Sequence, residues 1–357
     1  MMPSNVQPVH VTEGATVRKQ RRTSAAHERA RDAYRDVPIL QSPTWNHEVA
    51  AYFYFGGISS GAFALGAIAD AVGGKERSTL ARTAHAVAFA ALLPCPPLLI
   101  DDLGKPSRFH HMLRIFKPMS PMNLGAWTLT VHGGFSTILA LRLLADAGKV
   151  PVLGGVIKAL PTTPLSVGGL PTALTLGGYT GVLLGTSSIP VWYTSPLLGA
   201  LFMASSLTTG AAATTLASLL TRRDTESDHQ VMSPIHRAVA TGELVVLGGY
   251  LATSGKAVKP LLTGTPGLLL GSAVALSVVS LALEVGSTHR PAHRRLFGGL
   301  AAGAALVSGA CLRWAVVRAG HASANDREGM LEAMKPRASS PGWAHHNATP
   351  THATEAR

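Results

Sequence analysis

The sequence predicts an all-α integral membrane protein, a bundle of about eight transmembrane helices between two polar tails. Three observations carry that reading. Only 14% of the 357 residues are charged and 46% are hydrophobic, the balance of a membrane chain rather than a large soluble one. The apolar residues gather into eight runs of about 17–25 residues, each long enough to cross a ~30 Å hydrocarbon core as a helix. Lys and Arg sit in the tails and between the runs, as topology signals and interface anchors do. That placement removes nucleic-acid binding as the meaning of the net charge of +12. Mean hydropathy is a modest +0.24 because the tails dilute the bundle.

Residues 1–44 form a polar, basic tail read as disordered. It has no apolar segment of the secretory kind, and no hydrophobic stretch follows the Arg21–Arg22 pair. The apolar runs are 46–70, 84–100, 123–145, 171–192, 196–220, 235–254, 266–285 and 296–317. Backbone groups in lipid must be satisfied within their own segment, so each run is read as helix. Gly57–Gly61, Gly177–Gly181–Gly185 and Gly299–Gly303 have the spacing of close helix–helix contacts. The 150–170 segment is apolar enough for a partial or interfacial helix, which leaves seven or nine spans open. The helical region is taken as 45–318, and 319–357 as a second polar, disordered tail to whose histidines no role is assigned.

With eight spans both termini share a side. Connections on the opposite side carry ten Lys and Arg against six on the termini side. The positive-inside rule then puts the 101–127 loop outside, in a multi-pass protein of the bacterial plasma membrane. The basic N-terminal tail argues the other way.

Cys95 and Cys311 each stand alone in an apolar run, with no Cys-x-x-Cys spacing. By itself the protein cannot ligate an iron–sulfur cluster or a structural zinc.

The 101–127 stretch is the most heavily charged interruption in the middle of the chain. Asp101, Asp102, Lys105, Arg108, His110, His111, Arg114 and Lys117 share it with Gly104, Pro106, Pro118 and Pro121. A connection that only turned would not need eight ionisable groups. Two carboxylates at a helix C-terminus oppose the helix dipole, so Lys105 and Arg108 are expected to compensate them, with Asp102 paired to Arg108.

Three motifs resemble the NrfD/PsrC family, the membrane subunits of polysulfide-reductase-type complexes. The first is Trp45-Asn46-His47-Glu48 with Tyr52-Phe53-Tyr54-Phe55-Gly56-Gly57 and Ser60-Gly61. The second is Asp102-Leu103-Gly104-Lys105-Pro106-Ser107-Arg108-Phe109, and the third Ser120-Pro121-Met122-Asn123-Leu124-Gly125-Ala126-Trp127. Lys105 stands where the family has Arg, and Asn123 where it has Ser. The resemblance implies a membrane anchor without a haem or iron–sulfur cluster of its own that binds menaquinone or ubiquinone near one face. It also implies a docked ferredoxin-like iron–sulfur subunit and a catalytic subunit, often a molybdopterin enzyme.

Quinone chemistry moves two electrons and two protons, so a site needs donors to two carbonyl oxygens and a proton route. Asn46, His47 and Tyr52 are the candidate donors at the start of the first helix, with Asp102 as a proton carrier. Tyr52 lies one turn past Glu48 on the same face. The bland alternative is an interfacial belt of Trp, His and Tyr. Lys105, Arg108, Arg114 and Lys117 are read as the partner-docking loop.

Ionisable residues within apolar runs are costly and usually face the bundle interior. Glu243 and His132 are the candidate proton relay, against a plain packing role. Arg313 lies inside the last run, while Asp70 and Arg142 are expected to snorkel at helix ends. A haem b needs two histidines at matched depth, and His132 has no evident mate. A rival of another class is a proton-coupled transporter or channel using Glu243. The absence of a repeat between the first and last four runs speaks against it.

Overall fold

The computed structural model describes residues 40–330 apart from 74, 104, 223–225, 290–292 and 327–328. The expected disorder of 1–39 and of the chain beyond 330 falls outside the described residues. Among the described residues eight long helices make the bundle: α1 His47–Val72, α2 Lys75–Leu92, α3 Pro121–Asp146, α4 Thr162–Gly185, α5 Leu198–Leu220, α6 Glu226–Ser254, α7 Gly264–His289 and α8 Arg294–Ala324. Seven segments among the described residues are long and apolar enough to cross a membrane, the second joining α2 to the short helix Cys95–Asp101. The eighth long helix, α6, has 29 residues and a more polar sequence.

Helices α1 and α5 form the middle of the bundle. Within α1, 72% of the most apolar window is buried, against 28% in the peripheral α7. Small residues permit this. A Cβ on Gly61 would overlap the Ser206 carbonyl oxygen, and one on Gly210 would overlap the Gly61 backbone. The two helices therefore cross backbone to backbone, as small residues allow in membranes. Phe63, Ala67, Ala88, Leu139 and Ala173 knit α1 to α2, α3 and α4. Leu65, Leu80, Ala211 and Met232 join α1, α2, α5 and α6. Gly303, by contrast, faces no neighbouring atom within 4 Å.

Several boundaries differ from the sequence reading. The fourth span is Thr162–Gly185, not 171–192, with Pro171 inside the helix. Proline removes one backbone donor, which a helix within a bundle tolerates when neighbouring groups adjust. The carbonyl that loses its helical donor is that of Val167, while the Thr175 hydroxyl bonds back to the Pro171 carbonyl at 2.8 Å. The helix ends at Gly185, where the Ser187 hydroxyl donates to Leu184 O at 2.7 Å, and a separate turn, Pro190–Tyr193, follows. The 150–170 segment holds only Gly154–Ala159 before α4 begins. Helix α8 runs past residue 318 to Ala324.

Asp70 and Arg142, near the ends of α1 and α3, both find protein partners. Asp70 pairs with the buried His85 at 2.9 Å. Arg142 bonds Asp146 at 3.2 Å and the Leu160 carbonyl, and Asp146 also takes Arg82 at 2.9 Å. Asp146 takes cations from both helices, so the α2–α3 end is tied together by these pairs.

Candidate functional site

The entry to α1 is fixed from two sides. The Trp45 ring stacks on Trp192 at 5.5 Å and 26°, and the Trp45 carbonyl accepts from His321 Nε2 at 2.8 Å. Trp192 is buried, donating its indole N–H to Val316 O at 2.9 Å. The chain so anchored turns into Asn46, the N-cap residue of α1, which makes no side-chain cap bond.

The first turn of α1 then divides the residues the sequence grouped. Asn46 and His47 face α8 and line a pocket of about 120 Å³ with Trp314, Arg318 and His321. Trp314 donates its indole N–H to His47 Nδ1 at 3.1 Å. An indole nitrogen can only donate, so Nδ1 accepts and the neutral ring carries its proton on Nε2. Glu48 points the other way, as one residue of helix, or about 100°, requires. It faces the loop, where its charge acts on Asp102. Tyr52 lies below it, buried, with Cys95 and Tyr179 as ionisable neighbours. The Tyr179 hydroxyl donates to the Pro121 carbonyl, and Gly125 leaves room for its ring. Asn46 and His47 thus sit on one side of the first turn, Tyr52 and Asp102 on the other.

Asp102 ends the short helix Cys95–Asp101. Burial, then the charge of Glu48, then that of Asp101, pushes its carboxyl above the usual carboxylate range. The expected pair with Arg108 does not form. Arg108 closes the 3₁₀ turn Pro106–Arg108 and is exposed there, and Lys105, Arg114 and Lys117 are on the same loop, with Lys105 and Lys117 exposed too. Water solvates these cations at little cost, while a pair at the surface gains little.

The loop is held by a residue read only as a departure from the family pattern. Asn123 accepts from Lys117 N at 2.6 Å and donates to Met112 O at 2.6 Å and Ile115 O at 3.0 Å. A serine hydroxyl has one proton and cannot make both donations. Phe116, Ile115 and Met119 are exposed beside the cations, and Phe116 packs edge-on against Trp127 at 6.0 Å. The Trp127 indole N–H is buried with no hydrogen-bond partner.

Between the α2 span and α3 runs an apolar groove of about 300 Å³ that the sequence did not disclose. Leu99, Ile100 and Leu103 line it from one side, Leu129 and Gly133 from the other, and Phe109 at the loop end.

The relay candidates have different neighbours. His132 is fully buried on α3, its Nε2 3.1 Å from Ser59 Oγ and its ring 5.0 Å from Phe63. Glu243 is buried on α6, where Ser205, Thr208, Arg313 and His236 act on it. Arg313 is 1% exposed, donates to Phe202 O at 3.0 Å and Ser206 Oγ at 3.1 Å, and lies 4.2 Å over the Phe202 ring. His236 continues toward Glu284 on α7 at 3.6 Å. Among the described residues, no three His, Cys, Asp or Glu side chains gather to hold a metal ion.

The sequence missed Trp314, Arg318 and His321. They share one face of α8 at helical spacing, a stripe that closing the last span at 317 cut in two.

The family model for polysulphide reductase, NrfD, matches residues 38–324. The chain belongs to the NrfD family. Its match to protein NrfD of Escherichia coli is 28% identical over 307 residues, 79% of this chain and 96% of that one. A polysulfide reductase chain of Wolinella succinogenes is 29% identical over 187 residues, 49% of this chain and 58% of the relative. A selenate reductase subunit of Mesobacillus selenatarsenatis is 25% identical over 204 residues, 47% of this chain and 46% of the relative. The chain thus spans about half the length of two of these relatives and nearly all of the NrfD protein. The α1 entry, the 101–127 loop and the α8 stripe all fall within the family match.

Proposed function

We propose that this NrfD-family chain is the quinone-interacting membrane subunit of a bacterial respiratory reductase complex, passing electrons between the quinone pool and an iron–sulfur subunit. Family membership supports the class, since relatives carry the names of a polysulfide reductase chain and a selenate reductase subunit. The observation that carries the site is His47, whose Nδ1 is occupied by Trp314 so that Nε2–H remains to donate within the α1–α8 pocket.

Menaquinone or ubiquinone, when bound, supplies the two-electron, two-proton chemistry. The donors present suit its carbonyl oxygens: Asn46 and His47 on one side of the first turn of α1, Tyr52 on the other. At about 120 Å³ the pocket admits the oxygen-bearing edge of a ring rather than a whole ligand of the usual 300–1,000 Å³ class. Asp102, whose carboxyl keeps its proton to higher pH than usual, holds and releases a proton beside that turn. Glu243 and His132 move protons deeper in the bundle, each within its own buried polar set.

Lys105, Arg108, Arg114 and Lys117, with Phe116 and Met119 exposed among them, form the docking face for an acidic ferredoxin-like partner. A catalytic subunit, of the molybdopterin kind that the family resemblance implies, completes the complex. The loop faces outward from the plasma membrane.

Mild-detergent purification from native membranes, with mass spectrometry of the associated proteins, tests the reading. The expected companions are a cysteine-rich iron–sulfur protein and a large catalytic subunit. In that complex His47→Ala and Asp102→Ala should each lower quinone-coupled turnover at least tenfold with all subunits still bound. Normal turnover in both variants removes the site, and isolation of this chain alone across several detergents removes the complex.

A further inference from the structure

We propose, independently of the quinone reading, that the α3–α4 connection is a foot on an acidic phospholipid surface. Val152, Leu153 and Val156 enter the acyl boundary there, and Lys149 and Lys158 take headgroup phosphates. This is the end of α3 remote from the 101–127 loop, since the helix runs from that loop to Asp146.

The connection is built into the fold at both ends. Past the end of α3, Gly148 takes a φ of +75°, which reverses the chain. Gly148 N donates to Ala145 O and Lys149 N to Leu144 O, each at 2.9 Å, the paired bonds of a glycine helix stop. The short helix Gly154–Ala159 follows, and Arg142 of α3 donates to the Leu160 carbonyl just beyond it. Val150, Ile157 and Leu160 are half-buried, so the segment has an inward side. Its outward side is apolar. Val152 is 89% exposed, Val156 67% and Leu153 59%. Apolar side chains held outward together mark an interaction surface.

Position and charge select lipid as the cover. The patch continues onto Leu144 and Leu141 of α3 and Val167 of α4, exposed residues on two helices fit to cross a membrane. The 26 residues of α3 measure roughly 39 Å, longer than a ~30 Å hydrocarbon core, which brings the connection to headgroup level. Residues 147–161 include Lys149 and Lys158, both exposed, and no Asp or Glu. The preceding carboxylate, Asp146, is already shared by Arg82 at 2.9 Å and Arg142 at 3.2 Å. Apolar residues bracketed by cations suit the boundary between headgroups and acyl chains. Lysines at that level are drawn to acidic lipids. A second copy of the chain is the poorer occupant, because pairing through this patch would bring the same lysines together with no carboxylate in the segment to separate them.

Spin labels on the full chain test the foot. The parent carries Cys311→Ala, and its remaining Cys95 is buried. Val152→Cys and Val156→Cys are labelled in nanodiscs of mixed phosphatidylcholine and phosphatidylglycerol. Ser107→Cys, on the exposed turn of the 101–127 loop, gives the aqueous reference. Both labels should meet oxygen and be shielded from a water-soluble nickel chelate, with a collision ratio about fivefold or more above that at position 107. Should either variant lose its monodisperse elution peak, Leu153→Cys is read in its place. The cations are tested in detergent, titrating short-chain phosphatidylglycerol and following the mobility of the label at 156. Lys149→Gln with Lys158→Gln should weaken that lipid about tenfold or more and leave phosphatidylcholine unchanged.

Labels as open to the nickel chelate as position 107 overturn the proposal. So do labels closed to both probes, which would mean that protein covers the patch. Equal affinity of the parent for the two lipids overturns the acidic-headgroup assignment, as does a double lysine variant that binds phosphatidylglycerol like the parent.

Discussion

Trp314 of α8 donates its indole N–H to Nδ1 of His47 at the start of α1, across 3.1 Å. The bond selects one tautomer and so decides which nitrogen of His47 is left to face a ligand. Trp314→Phe deletes the donor and keeps an aromatic ring beside Tyr54, 6.5 Å away. The variant should show a mixture of His47 tautomers by ¹⁵N chemical shift. Menaquinone binding should weaken about two- to tenfold, the worth of one hydrogen bond of about 0.5–1.5 kcal/mol. A single Nε2–H tautomer in the variant would show that Trp314 does not set it.

Asp102 predicts a pH dependence of stability. Burial and its two carboxylate neighbours raise its carboxyl above the ordinary value. The folded protein thus binds this proton more tightly than the unfolded chain, where the carboxyl titrates near 3.9. Stability is untouched below the unfolded value and falls as pH rises, because ionisation is penalised only in the fold. Asp102→Asn cannot ionise and is spared that loss. Its melting temperature should match the wild type near the acid end and exceed it at pH 8. A gap of the same size at both pH values would mean that the carboxylate charge is not the cause.

Much of this architecture was legible in the sequence, because membrane helices announce themselves by length and hydropathy alone. The α1 entry and the 101–127 loop were legible as motifs. What the sequence could not give was the direction of each side chain around α1. Asn46, His47, Tyr52 and Asp102 read as one cluster, yet a helix sends neighbours 47 and 48 about 100° apart. Asp70 and His85 read as separate helix-end residues, since their pairing depends on how α1 and α2 pack. Pro171 read as the start of a helix, but the bundle carries it inside α4. The groove arises between two spans and has no sequence signal of its own.

The α1–α5 crossing predicts a sharp glycine effect. Gly61 and Gly210 meet backbone rather than flexible side chains, so an added methyl cannot be relieved by a rotamer change. Overpacking commonly costs about 1–3 kcal/mol, and contact with backbone belongs at the upper end. Gly61→Ala should abolish the folded elution peak or lower the melting temperature by many degrees, while Gly134→Ala should be close to neutral. Equal behaviour of the two variants would mean that α1 and α5 do not cross at Gly61.

The loop cations predict a salt-sensitive partner interaction. Arg114→Glu with Lys117→Glu should weaken binding of the proposed iron–sulfur subunit at least tenfold at low ionic strength. The deficit should shrink near 1 M salt, where the screening length is about 3 Å. Asn123→Ala keeps every charge but cuts the bonds to Lys117, Met112 and Ile115. It should also weaken docking, with a deficit that salt does not remove. A reversed pair that binds as well as the wild type would move the docking face elsewhere.

Arg313 and Glu243 predict non-additive mutations. Each is buried, on α8 and α6, and each acts electrostatically on the other. Arg313 is further held by Phe202 O, Ser206 and the Phe202 ring, so its position does not depend on Glu243 alone. Arg313 Nε and Nη1 have no hydrogen-bond partner among the described residues, so the two groups act on each other without direct contact, and removing one leaves the other in a medium that solvates it poorly. Arg313→Met and Glu243→Gln should each destabilise the protein strongly, measured by the heating temperature that halves the monodisperse peak. The double variant should be more stable than Arg313→Met, because a neutral amide at position 243 leaves no stranded carboxylate behind. Additive losses would show that the two side chains are held independently, with the Phe202 and Ser206 contacts alone retaining Arg313. If the double variant recovers stability but not quinone-coupled turnover, the charges serve proton movement as well as packing.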